Sequence, residues 1–150
     1  MPKFIIACRH GDYAANSLTK FGQQQASKLA ESIKNGLDSA TSSALLLSSP
    51  TTRTVETAVI IGRTLGVQHQ CVDLLERDYY RWGEKQMLAI LELAEDHEII
   101  IVITHYEAPA GIVDAFSQKH FGKKVVGEKE IRKGSGLCLC MESGEVLDIP

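Results

Sequence analysis

The chain has 150 residues, 44% of them hydrophobic, and a formal net charge of −3 with both signs interspersed. That length and apolar content build one domain around one sizeable core, and the charge balance excludes a nucleic-acid footprint or a basic membrane-adsorbing face. No run approaches the ~18 apolar residues of a membrane span, and the start "MPKFIIACRHGD" turns polar too soon for a signal peptide, so a cytoplasmic protein with reduced cysteines is expected.

In chain order, "KFIIAC" (3–8) reads as a short buried strand. The following "TKFGQQQASKLAESIKNG" places Ala26, Leu29, Ala30 and Ile33 at i, i+3, i+4, i+7, a helix capped by Thr19 and closed near Gly36. "ALLLSS" (44–49) is a second strand. A helix follows with Ser49 as its cap and Pro50 at its first position, ending at Gly66. A short strand is expected around "HQCVD", then a helix over 84–95 with Met87, Leu88, Leu91 and Leu93 on its apolar face. "EIIIVIT" (98–104) is uniformly aliphatic, as central parallel strands are. A helix over "EAPAGIVDAFSQKHFG" and a hairpin over "GLCLCMESGEVLDI", turning at Ser143 and Gly144, complete the chain. This alternation predicts an α/β three-layer sandwich: a mostly parallel sheet, helices on both faces, and a C-terminal antiparallel hairpin.

In such sheets ligands bind beyond the carboxyl ends of the strands. The first strand runs out into Arg9-His10-Gly11. The second leads to Ser48-Ser49-Pro50, with Arg53 in the next helix's first turn, and the aliphatic strand leads to Thr104-His105. Two imidazoles and two guanidiniums then gather at one edge, which suits a phosphoryl group. Arg offers a planar fork of donors, always charged and less strongly hydrated than Lys. Gly11 lets backbone approach the ligand, and helix N-termini add positive potential. A neutral imidazole there could attack phosphorus while the cations stabilise the transition-state oxygens.

The "RHG" of Arg9-His10-Gly11, the "LTKFGQQQASKLA" helix, "SSPTTRTVETA" around Arg53, and Thr104-His105 after an aliphatic strand resemble the histidine phosphatase superfamily, with its phosphoglycerate-mutase-like fold. These co-linear segments run from residue 3 to about 114. The resemblance implies that His10 is the nucleophile that is transiently phosphorylated, that Arg9, Arg53 and His105 form the phosphate pocket, and that His105 holds a nonbridging oxygen. It also implies a carboxyl group that protonates the leaving oxygen, for which Glu76 in "LLERDYYRWGE" is the candidate. Asp12 is the rival: it completes the "RHGD" of the short bacterial phosphohistidine phosphatases, and a nearby phosphate dianion would raise its pKa by like charge. The residues do not choose between them. Tyr79 or Tyr80 is a further candidate for substrate contact.

Tyr106 and Glu107 stand after His105 where small or amide residues are expected, which makes the pocket rim bulkier and more acidic. Only 21 residues (78–98) separate Arg77 from the aliphatic strand, too few for a large cap, so an open site is implied. The expected function is a phosphatase, independent of metal and cofactor, acting on a phosphorylated small molecule or a phosphoprotein. A phosphoglycerate-mutase-type phosphotransferase and a non-catalytic phosphate-binding module are the alternatives. The oligomeric state is not legible.

Cys71 and Arg77 satisfy the C-x5-R spacing of cysteine phosphatases. The intervening Val72, Asp73, Leu74, Leu75 and Glu76, however, lack the glycine and free N–H groups that wrap an anion, and their charge opposes a thiolate. Cys138 and Cys140 read as core packing, and two flanking arginines oppose a cation at His10, Asp12 and His105. His97 and His120 read as surface residues. Lys119, Lys123, Lys124, Lys129 and Lys133 read as a solvated face.

Overall fold

The computed structural model of the protein describes residues 2–37, 44–75, 84–94, 96–106, 108–127 and 129–150. In chain order the elements are β1 (Phe4–Arg9), β2 (Tyr13–Ala14), β3 (Ser17–Leu18), α1 (Lys20–Leu37), β4 (Ala44–Ser48), α2 (Thr52–Leu65), β5 (His69–Cys71), α3 (Glu84–Leu93), β6 (Ile99–Thr104), α4 (Ala108–Phe121), β7 (Gly136–Cys140) and β8 (Val146–Ile149). A single 3₁₀ turn, Asp73–Leu75, follows β5.

The three aliphatic runs become the middle of the sheet because each is apolar on both faces. The order is β5-β4-β6-β1-β7-β8. The first four strands are parallel, while β7 and β8 pair antiparallel as the expected hairpin. Alternation along each strand divides the core in two. Ile6, Cys8, Leu46, Ile99, Ile101 and Ile103 face α1 and α2, whose Leu29, Ala30, Ile33, Ala58 and Ile61 close that layer. On the other face Ile5, Ala7, Leu45, Leu47, Ile100 and Val102 meet α3 and α4 through Met87, Ile90, Ile112, Val113 and Phe116. Fully burying one such aliphatic side chain contributes roughly 1.5–3 kcal/mol. No helix among the described residues is long and apolar enough to cross a membrane.

α1 ends at Leu37, beside the expected Gly36. Three features differ from expectation. α2 begins at Thr52, with the extended Thr51 at the N-cap position but no side-chain cap bond there, and the Ser49 hydroxyl is engaged across the sheet edge. The other end of α2 is as expected, with Gly66 left-handed at φ 73°. The buried face of α3 is Met87 and Ile90, continued by Ala94 just past its end, while Leu88 and Leu93 lie exposed. The third difference is the two-strand hairpin β2–β3, which was not among the expected elements. Its turn puts Ala15 and Asn16 at positive φ, 49° and 71°, and Glu56 on α2 anchors it by accepting from the Ser17 hydroxyl at 2.8 Å.

Residues 10–12 lie directly on the first turn of α1. Thr19 caps that helix, accepting the Gly22 N–H at 3.0 Å. A Cβ on Gly22 would stand 2.0 Å from the Asp12 carbonyl oxygen, and one on Gly11 would stand 2.5 Å from the Gly22 carbonyl oxygen. Backbone on both sides leaves no room for relief. Gly22→Ala is therefore expected to cost about 3 kcal/mol, in the overpacking range, and to displace the loop that carries His10. Urea denaturation checks the first effect and phosphate release the second; a variant with unchanged midpoint and turnover would show the contact to be soft.

After α4 the chain is led back to the strand ends by a buried carboxylate. Asp114 accepts the backbone N–H groups of Val125, Val126 and Gly127, each at 2.8 Å. This delivers 129–135 alongside β1, where the Arg9 N–H donates to the Ser135 carbonyl at 2.9 Å and the Gly134 N–H to the His10 carbonyl at 2.9 Å.

Candidate active site

Strand register brings the two histidines level. Arg9 pairs with Thr104, so His10 and His105 both stand one residue beyond the last paired position of neighbouring strands, with ring centroids 5.4 Å apart. Ser48 pairs with Ile103, which carries Ser49 to the same edge.

His10 is buried. Its Nδ1 lies 2.8 Å from the Gly11 carbonyl oxygen. A carbonyl only accepts, so Nδ1 carries the proton and Nε2 keeps its lone pair. Arg53 Nε donates to that Nε2 at 3.3 Å. Burial, the largest cause, opposes a charge on the ring, and His105, Arg53 and Arg9 add to this; the Gly11 carbonyl acts the other way, and the pKa falls from 6.5 to about 3. The imidazole is therefore neutral near neutral pH, with the Nε2 lone pair unprotonated.

That shift has a stability consequence. With its folded value below its unfolded one, His10 binds fewer protons in the folded state, so its contribution is fully present above about pH 6.5 and is lost as the pH falls toward 3. At roughly 1.4 kcal/mol per pH unit, the wild type should lose about 2–3 kcal/mol more than His10→Asn between pH 6.5 and pH 4.5. Paired urea titrations measure this; equal losses in the two proteins would contradict a neutral buried ring.

His105 is buried too, and its Nε2 lies 2.8 Å from the Ser49 hydroxyl. That hydroxyl is 2.6 Å from Thr54 Oγ1, which donates to the Ser49 carbonyl oxygen at 2.8 Å. The serine expected as a helix cap thus orients a histidine across the site.

The two guanidiniums approach from opposite elements. Arg9 is 7% exposed. Its Nη1 donates to the Ile131 carbonyl oxygen at 2.9 Å and to Glu130 Oε1 at 3.4 Å, and its Nε, also buried, has no hydrogen-bond partner among the described residues. A buried orphan N–H is costly unless a ligand takes it. Arg53, from the first turn of α2, lies over the Tyr13 ring at 4.5 Å and donates from Nη1 to Asn16 Oδ1 at 2.5 Å. The β2–β3 hairpin therefore positions Arg53, a role the sequence reading missed; the only available sign was an aromatic directly after "RHGD".

Gly11 does not present a free amide to the site, since its N–H donates to Thr57 Oγ1 at 3.2 Å. The lack of a Cβ serves its contact with α1. Asp12 is held by two neighbours. The Thr19 hydroxyl donates to its Oδ2 at 2.9 Å and Lys133 Nζ to its Oδ1 at 3.2 Å, and these bonds hold its carboxyl below the usual range, Thr19 first. Lys133 is accordingly no part of a merely solvated face: it pairs with Asp12 and lies 5.0 Å from the Tyr13 ring centroid. Tyr106, next to His105, lies against the Arg9 guanidinium, 4.7 Å from its carbon to the ring centroid. Glu76, Arg77, Tyr79, Tyr80 and Glu107 fall outside the described residues. Cys71 is exposed on edge strand β5, separated from β1 by β4 and β6. Among the described residues no three His, Cys, Asp or Glu side chains gather in a way that could hold a metal ion.

The strand ends of this doubly covered α/β sheet bring together two buried imidazoles and two guanidiniums, an arrangement whose charge and donors suit a tetrahedral anion. A family model described as the histidine phosphatase superfamily (branch 1) matches residues 5–118, and the chain belongs to that superfamily, which supports a phosphatase. Solved structures agree on the fold. A candidate phosphohistidine phosphatase SixA from Agrobacterium tumefaciens is 15% identical, with a TM-score of 0.68 over 100% of this chain and 99% of that one. Its counterpart from Nakamurella multipartitia is 15% identical, with a TM-score of 0.71 over 91% and 83%. A mycobacterial glucosyl-3-phosphoglycerate phosphatase solved with inorganic phosphate is 16% identical, with a TM-score of 0.64 over 99% and 96%. No curated protein sequence matches.

Proposed function

We propose that the protein is a metal-independent phosphatase that hydrolyses a phosphomonoester or a protein phosphohistidine through a covalent phosphohistidine at His10. One observation carries this reading: the buried, neutral His10 ring has its proton fixed on Nδ1 by Gly11 and its Nε2 lone pair at the centre of the cationic group. Nε2 attacks phosphorus and forms a P–N bond as the bond to the leaving group breaks. Arg9 and Arg53 take the charge on the nonbridging oxygens, with His105 contributing across the cup. Glu76 gives its proton to the leaving atom, because the Asp12 carboxylate is already committed to Thr19 and Lys133. Water then gives a proton back to the Glu76 carboxylate as its oxygen attacks phosphorus and the P–N bond breaks, so the released phosphate leaves both Glu76 and His10 as they began.

The short segment before β6 and the likeness to the SixA structures in both length and fold support an open pocket that a phosphorylated side chain of another protein can enter. Purified protein with excess chelator should release phosphate from an aryl phosphate and from a phosphohistidine peptide. Isomerisation of phosphoglycerate without net release would favour the phosphotransferase instead. No release from any of these substrates would overturn the enzymatic reading.

A further inference from the structure

The residue after His105 is held in a conformation its side chain disfavours. Tyr106 has φ 47°, one of three non-glycine residues at positive φ among those described. The other two form the turn of the β2–β3 hairpin, where such values are ordinary. A bulky aromatic in the left-handed region persists only where its surroundings fix it, and such sites concentrate where ligands bind.

The fixing contacts form a closed triangle with the phosphate pocket. The Tyr106 carbonyl accepts the Ile131 N–H at 3.5 Å, the Ile131 carbonyl accepts Arg9 Nη1 at 2.9 Å, and the Arg9 guanidinium lies against the Tyr106 ring at 4.7 Å. The ring is nonetheless 43% exposed, so it is not there to fill the core.

We propose that Tyr106 is a specificity-determining platform against which the leaving group stacks, so that this enzyme prefers phosphoryl compounds whose leaving group is a planar aromatic ring. The inference rests on the reading of Arg9, His10, Arg53 and His105 as the phosphate pocket. On the exposed part of a flat ring held against Arg9, a planar partner makes more contact and loses little freedom in the process, whereas a puckered or linear group of equal bulk makes fewer contacts on the same surface. The Tyr106–Arg9 stack ties that platform to the phosphate-binding cation, which fixes its distance from phosphorus.

Competitive inhibition by non-hydrolysable phosphonates tests this without involving leaving-group reactivity. Phenylphosphonate should inhibit about threefold to tenfold more tightly than cyclohexylphosphonate, which has similar bulk but is puckered. Tyr106→Asn, a residue that tolerates positive φ, should bring the two inhibition constants together, while Tyr106→Phe should retain the difference. Equal inhibition by the two phosphonates in the wild type, or tighter inhibition by the cyclohexyl compound, would overturn the proposal. Equal weakening of both in Tyr106→Asn would also overturn it, since Tyr106 would then act only by positioning Arg9. Vanadate serves as the control: failure to inhibit the wild type would overturn the phosphate-pocket reading, whereas vanadate inhibition without aromatic preference would overturn the platform alone.

Discussion

Replacing His10 with Ala is expected to reduce phosphate release by about four orders of magnitude or more, because the other imidazole at the strand ends, His105, has its Nε2 held by the Ser49 hydroxyl. Cys71, the other nucleophilic side chain weighed, lies on the far edge of the sheet. Rapid quench under alkaline conditions should trap a phosphorylated wild-type protein whose label is lost in mild acid, the behaviour of a P–N bond. The variant should show no labelled protein. Turnover that survives His10→Ala, or a label stable to acid, would exclude the covalent histidine route. Circular dichroism should show the variant folded, since truncating the ring leaves both core layers intact.

Arg53→Met is expected to lower kcat/KM by about 10²–10³-fold, the range seen when one preorganised donor to a developing oxyanion is removed. Arg53→Lys should recover less than tenfold of this, because an ammonium restores charge without the planar fork that reaches His10, Asn16 and an anion together. Removing the cation also relieves one of the influences that keep His10 neutral, so the His10 pKa should rise in Arg53→Met. Titration of the His10 ring by NMR would report it. An Arg53→Met protein with wild-type kcat/KM would mean that this guanidinium only braces the β2–β3 hairpin.

The sheet's central strands were legible because "FIIAC", "ALLL" and "IIIVIT" are apolar at every position, a pattern that few structures other than a strand buried on both faces accommodate at that length. The convergence of Arg9, His10, Arg53 and His105 followed from chain order, since the residue after each such strand must lie at the carboxyl edge. The faces of the helices were less secure. α3 is apolar around much of its circumference, so the expected face took in Leu88 and Leu93 with Met87 and left out Ile90, and only packing chose the side.

Other roles depended on distances between residues far apart in sequence. Ser49 has the chemistry of a helix cap, but its hydroxyl found His105 on another strand, and the extended Thr51 took the cap position. Lys133 looked like one charge among many, yet the Asp114 clamp on 125–127 returns the chain to the site and places that ammonium on Asp12. Gly22, inside the expected first helix, lies where the loop carrying His10 touches α1.

The amino-acid order alone determined the alternation of strands and helices and the edge at which the charged side chains collect, because periodicity and burial are properties of local runs. Only the tertiary structure decided which proton His10 carries, which cations lower its pKa, what partners Asp12 holds and how Tyr106 faces Arg9. Those outcomes are set by through-space hydrogen bonds and desolvation, whose energies vary over a few tenths of an ångström that no spacing in the chain encodes.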